Sequence, residues 1–188
     1  MQISARALIT AVHGLLFGGF FLLAVFGVLV ELIRSAYASQ TSDLTKSGRS
    51  LAALYLWTTA VLAWAAVVIG TYIVYPLYRA IPPPGTADLA SFPQALLLAS
   101  STTSGWHRLG MEWKEHVAWL APIGATMIAY VMTMQRSAMK AYAQVRKAVV
   151  TFALVAFASA AIAAFFGAMI NKNAPVEGGP QIRLLKEP

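Results

Sequence analysis

The chain has 188 residues, 59% of them hydrophobic and 11% charged, with a formal net charge of +7, whereas an ordinary soluble domain carries roughly 25% charged residues. Long stretches hold no charge and Lys and Arg gather between them, so the positive balance reads as cations at lipid headgroup level and excludes a nucleic-acid partner. The lack of Cys excludes disulfides, thiolate-held metals, iron–sulfur clusters and covalently attached c-type haem.

A helix needs about 20 predominantly apolar residues to cross a bilayer, and four segments qualify. The first covers residues 7–33. Ala36-Tyr37-Ala38 mimics a signal-peptide cleavage site, but the apolar run ahead of it far exceeds the roughly 7–15 residues of a signal core, so the segment is expected to stay as a helix. A short basic connection, 35–50, leads to the second span at 51–77. Ile81-Pro82-Pro83-Pro84-Gly85 then opens a longer connection, within which residues 87–100 carry Leu89, Phe92, Leu96 and Leu97 at helical spacing and predict a short interfacial helix. The third span, 113–134, joins the fourth, 148–170, through a second basic hairpin at 135–147, and residues 171–188, with Gly178-Gly179-Pro180, read as an extended polar tail. The expected fold is an all-α, integral membrane four-helix bundle occupying 1–188 as a single membrane domain.

Orientation is read from Lys and Arg near the span ends. The hairpin loops hold Arg34, Lys46, Arg49, Arg136, Lys140, Arg146 and Lys147, and the opposite side holds Arg6, Arg79, Arg108, Lys114, Lys172, Arg183 and Lys186 over about twice the length. Density places both hairpin loops inside and both termini outside, in a bacterial inner membrane.

The two hairpins align with each other. His13 is followed after twenty-one residues by Arg34-Ser35-Ala36, and His116 after twenty by Arg136-Ser137-Ala138; Gly70 and Gly167 fall at similar places in the returning helices. Ala-rich membrane helices align readily, so the register leaves duplication open. If it is real, the hairpins are parallel repeats about an axis along the membrane normal, each bringing one His to that axis.

Ionisable groups inside a span are expensive and mark function. His13, His116 and Glu31 are the notable ones. The first and third helices run in the same direction, so at 1.5 Å per residue the two His lie at similar depth below one surface. Paired imidazoles at one level suit a single haem b iron, with His13 and His116 as the metal ligands. Gly14 and Gly18 remove side chains beside His13, Phe17 and Trp119 can pack on a porphyrin edge, and Arg6, His107 and Arg108 lie where propionates need cationic or hydrogen-bonding partners. A competing reading groups Glu112, Glu115 and His116, with His107 upstream, as a non-haem metal site, although these residues are more simply a wet N-terminal turn. Tyr72, Tyr75, Tyr78, Trp106 and Trp113 read as an interfacial aromatic belt. No His lies in the half of the bilayer toward the hairpin loops, which leaves no place for a second bis-His haem.

Four apolar helices with paired His near one face resemble, in outline, the small b-type cytochrome subunits that anchor respiratory oxidoreductases in the membrane, without the two-haem His pattern of the cytochrome b561 class. That resemblance implies a subunit of a larger membrane redox complex, itself without catalytic residues, relaying electrons through one haem between a quinone or quinol pool and a redox partner. The alternatives are a non-catalytic scaffold or bacteriochlorophyll-binding subunit and a small transporter, the last weakened by the scarcity of intramembrane polar groups.

Overall fold

The computed structural model describes residues 5–37 and 46–175, helical apart from turns and an irregular connection over 80–92. Helix α1 (residues 5–37) and helix α2 (46–78) form the first hairpin. A short helix α3 (Pro93–Leu98) follows, and α4 (Ser104–Met134), a one-and-a-half-turn α5 (Arg136–Ala141) and α6 (Ala143–Asn173) form the second. The four long helices are each long and apolar enough to cross a membrane. The observed helices overrun the expected spans at most ends, most clearly at α4, which begins at Ser104 and not near Trp113. Its polar residues Arg108, Glu112 and Glu115 belong to the helix and find partners or a polar cleft there. Of the polar tail expected from 171, the chain continues helically to Asn173 and is described to 175; the remainder lies outside the described residues.

Hydrophobicity is arranged for lipid. Large apolar side chains face outward, Leu15 being 77% and Leu23 71% exposed, while Ala60, Ala63, Ala121, Ala125, Ala129, Ala153 and Ala156 fill the interior. Lipid tails are as apolar as leucine, so helices gain little by hiding large apolar groups from them and associate instead through close backbone approach and hydrogen bonds. The most extensive contact, α4 on α6, follows that rule. A Cβ on Gly124 would stand 3.0 Å from the Phe152 carbonyl oxygen and 3.1 Å from Ala156 Cβ.

Polar side chains tie the helices together. Tyr55 donates to the Ala24 carbonyl at 2.7 Å (α2 to α1), Trp64 Nε1 to Thr126 Oγ1 at 3.0 Å (α2 to α4), and Trp113 Nε1 to the Ser159 carbonyl at 3.0 Å (α4 to α6). Trp113, read from sequence as an interfacial aromatic, therefore joins two helices through its indole. Trp113→Phe is expected to lower stability by about 1 kcal/mol, the net worth of one such bond, in thermal unfolding of the detergent-solubilised protein. An unchanged midpoint would show that the indole bond contributes nothing.

Each of three long helices contains a stretch wound as π-helix: Val12–Gly19 in α1, Gly70–Val74 in α2 and Trp113–Val117 in α4. The sequence explains them locally. Pro76 and Pro122 follow the second and third stretches and have no N–H to give to the carbonyls of Tyr72 and Ala118, so the α-helical ladder is interrupted there; the Ala118 carbonyl is taken instead by Ala121 N at 3.1 Å. The first contains Gly14, Gly18 and Gly19, which impose little on helix geometry. Such wide turns recur at functional sites because they re-aim side chains within an otherwise regular helix.

Candidate functional site

All three π-helical stretches fall toward the end of the bundle that carries the start of α1 and the end of α6. Gly70 lies eight residues before the end of α2 at Tyr78, about 12 Å at 1.5 Å per residue. This terminal end is closed by a small core of Tyr78, Leu97, Met111, Ile170 and Ala174. The sequence predicts an interfacial helix over 87–100; only Pro93–Leu98 is helical, and Leu97 is fully buried, plugging the bundle end. Asp88 Oδ1 accepts from Ala90 N at 2.9 Å and holds the preceding turn.

Arg6 pins the first helix to this end. Its guanidinium donates to the carbonyls of Leu77 and Ser91, tying α1 to the connection after α2. That work is structural and lies apart from the polar cleft described next.

Between the ends of α2, α3 and α4 opens a cleft of about 510 Å³ lined by Tyr75, Arg79, Gln94, His107, Arg108, Met111, Glu112 and Glu115. Tyr75 donates its hydroxyl to Glu115, and the Tyr78 hydroxyl and His107 Nδ1 share a 2.7 Å hydrogen bond. The two tyrosine rings stack at 6.4 Å, Tyr78 stacks on the His107 ring at 5.9 Å, and the Arg79 guanidinium lies 5.3 Å from the centre of the Tyr75 ring. The result is a contiguous set of protonatable groups running from a carboxylate through two phenols to an imidazole, flanked by two arginines. Of the candidate site residues read from sequence, His107, Arg108, Glu112 and Glu115 stand here.

Tyr75, Tyr78, Arg79 and Gln94 were not singled out for this role. Tyr75 and Tyr78, read from sequence as part of an aromatic belt, take hydrogen-bond partners on α4, whereas Tyr72 is 70% exposed. One signal was available: Arg108, Met111, Glu112 and Glu115 recur at i, i+3, i+4 and i+7, a single helical face.

One level deeper the remaining candidates separate. The His13 ring packs against Gly70, where a Cβ would stand 2.6 Å from its Cε1, and it reaches the Ala66 backbone while its Nδ1 is buried without a partner. His116 turns the other way. Its Nδ1 donates to the Glu112 carbonyl at 3.0 Å and lies 3.4 Å from the Glu112 carboxylate, with the side chain 68% exposed. Lys114 is the residue of this turn that faces inward, its ammonium lying 3.4 Å from the position a Gly167 Cβ would take and within electrostatic range of His13. Residues two apart project to nearly opposite sides of a helix. His13 and His116 are therefore not brought together, and a porphyrin on His13 would lack its second ligand.

Of the groups proposed to surround such a ring, Gly14, Phe17 and Gly18 share α1 with His13. Gly14 faces open space, a Cβ on Gly18 would touch only the His13 carbonyl at 3.5 Å, Phe17 is half-buried, and Trp119 sits edge-on to Trp64 at 6.2 Å. The Glu112, Glu115 and His116 triplet does not converge either, since Glu115 turns to Tyr75. Among the described residues no three His, Asp or Glu side chains gather as metal ligands. Glu31 pairs with Arg34 at 2.9 Å on the exposed hairpin end, an ordinary surface contact.

The duplication read from sequence takes a different register in space. In each hairpin a basic side chain of the outgoing helix lies against a glycine of the returning helix: His13 against Gly70 and Lys114 against Gly167. The third-helix counterpart of His13 is thus Lys114, two positions from His116.

Fold and site together define an all-α integral membrane protein whose four-helix bundle carries a polar, hydrogen-bonded cleft at one end. No family model, curated protein or solved structure matches the chain.

Proposed function

We propose that this chain is a membrane subunit of a larger redox complex, and that its terminal cleft receives the head group of a quinone or quinol and manages the protons of that exchange. The observation that carries this reading is the pairing of Tyr75 with Glu115 and of Tyr78 with His107 around one cleft. A quinone head presents two carbonyl oxygens on a flat apolar ring. Phenol and imidazole can donate to such oxygens, and the stacked tyrosines offer a flat wall. Oxidation of a quinol releases two protons and two electrons. Glu115 and His107 are placed to accept the protons and pass them to water at the nearby helix ends, while the electrons leave to a redox cofactor of a partner subunit.

A short-chain quinone titrated into the protein in nanodiscs is expected to bind, with Glu115→Gln and His107→Ala each weakening the affinity by about tenfold, the loss of one charge-assisted or buried hydrogen bond. Absence of binding, or affinity indifferent to both substitutions, overturns the proposal. A haem b on His13 and His116 rests on one supporting observation, the unpartnered buried Nδ1 of His13. The same preparation decides it: sharp reduced-minus-oxidised bands that vanish in His13→Ala would require His116 to swing inward, and a featureless spectrum rejects the haem.

A further inference from the structure

The connection from α2 to α3 holds an apolar side chain that neither the cleft nor the bundle uses. Ile81 is 87% exposed, more than the outward-facing leucines of the long helices, and it opens the run Ile81-Pro82-Pro83-Pro84-Gly85. Ile81, Pro82 and Pro83 each precede a proline, which keeps their backbone extended, and the three prolines have a fixed φ and no N–H. A tight turn ends the run. The Pro83 carbonyl accepts from Thr86 N at 3.2 Å and from Thr86 Oγ1 at 2.7 Å, and Gly85 takes φ +84° at the third position, as a type II turn requires. Farther on, the Arg6 guanidinium donates to the Ser91 carbonyl at 3.1 Å, so the connection is fastened to α1 where it returns. A stiff loop therefore presents Ile81, Pro83 and Pro84 at the surface.

Helix length decides between lipid and protein as the occupant. With Arg49 at the hairpin-side edge of the hydrocarbon, 1.5 Å per residue carries α2 across about 30 Å by Gly70. The eight residues from there to Tyr78 stand about 12 Å farther out, beyond a headgroup layer roughly 5–7 Å deep. Ile81 follows Tyr78 by three residues, clear of the acyl chains, and only another protein surface can take it out of water there. The loop also adjoins the cleft, because Arg79, two residues before Ile81, lines it.

We propose that Ile81 and the prolines after it form a docking knob for an extramembranous partner protein, the one that holds the electron acceptor. The partner's role rests on the quinone reading of the cleft; the docking itself does not. The complementary surface is an apolar groove with aromatic walls, the kind that receives extended proline runs, bordered by carboxylates facing Arg79 and Arg108. Prolines enter such a groove without leaving an N–H unpaired, and a loop already fixed by its turn loses little entropy on docking.

The test uses the full chain, extracted in mild detergent from the membranes in which it is naturally made and run by native electrophoresis. A synthetic peptide of residues 79–87 is the probe. The wild-type chain is expected to migrate in an assembly, and the peptide to release it, whereas the same peptide carrying Ile81→Asp does not. In the full chain Ile81→Asp is expected to lower the assembled fraction at least about tenfold, as for loss of a buried hot-spot side chain. Gly85→Val keeps every apolar side chain of the knob but spoils the turn, and is expected to lower it by a smaller factor. Ser101→Asp, exposed in the connection between α3 and α4, is the control expected to stay assembled. The peptide arm needs no variant of the chain, so it decides even if one misfolds.

A benzophenone crosslinker placed at position 81 is expected to join the chain to a protein that the peptide displaces. A wild-type chain that migrates alone, an assembly indifferent to both the peptide and Ile81→Asp, or crosslinks to phospholipid only overturns the proposal. Quinone binding in nanodiscs is measured without the partner, where Ile81→Asp is expected to leave it unchanged, so each reading fails separately.

Discussion

Gly70→Ala is expected to destabilise the bundle by about 1–3 kcal/mol, the usual cost of overpacking a filled interior. The new methyl would lie 2.6 Å from His13 Cε1, 3.2 Å from Nε2 and 3.4 Å from Nδ1. The obstacle is a planar ring on a two-torsion side chain, held beside the Ala66 backbone, and it cannot step aside as the end of a lysine could. Either the ring leaves its pocket or α1 and α2 move apart. A second substitution separates these costs from simple helix propensity, which favours Ala over Gly. In a His13→Ala background the Gly70→Ala change is expected to be neutral or mildly stabilising, giving a coupling of at least about 1 kcal/mol in a double-mutant cycle. Chemical or thermal unfolding in detergent measures all four corners. Equal costs in both backgrounds would mean that the imidazole does not occupy the space beside Gly70.

Gly124→Leu is expected to cost about 3 kcal/mol, at the upper end for overpacking, and to impair insertion or folding in the cell. Here the neighbours are a backbone oxygen, Phe152 O at 3.0 Å, and the Cβ and Cα of Ala156 at 3.1 and 3.7 Å. None can rotate away. Relief requires α4 and α6 to separate, which undoes the Ala121, Ala125 and Ala129 contacts and strains the Trp113 to Ser159 bond between the same helices. In a bilayer no hydrophobic gain offsets that separation, because the leucine was already as comfortable in lipid. The graded control is Gly14→Ala, where nothing lies within 4 Å of the added carbon and stability should stay within a few tenths of a kcal/mol of wild type or rise slightly. A Gly124→Leu protein with wild-type unfolding would show that α4 and α6 do not approach this closely.

The two cases also mark how far a linear reading reaches. Gly70 and Gly167 stand out from sequence as corresponding positions in two returning helices, and both prove to lie under basic side chains. Which side chains those are was read differently: His116 is the visible match to His13, yet Lys114 is the residue turned inward. Likewise, Tyr75 and Tyr78 look like membrane-boundary aromatics, and only the approach of α4 supplies Glu115 and His107 as their partners. His107 and Arg108 were legible as boundary residues of a polar site, and it is Tyr75, Tyr78 and Glu115 that stand around them.

The physical division is between depth and azimuth. Lipid imposes a minimum apolar length and drives charge to the ends, so the sequence alone determined four long apolar helices, an all-helical fold and the similar depth expected of His13 and His116. Hydropathy summed over a span is blind to rotation about the helix axis. That rotation comes from alanine and glycine faces meeting between helices, and from π-helical turns at Gly14 to Gly19, before Pro76 and before Pro122, which shift the phase of everything beyond them. Tertiary structure therefore decided which polar side chains meet: it sent His116 outward, turned Lys114 toward Gly167, and built the cleft from tyrosines whose partners lie some thirty to forty residues away in the chain.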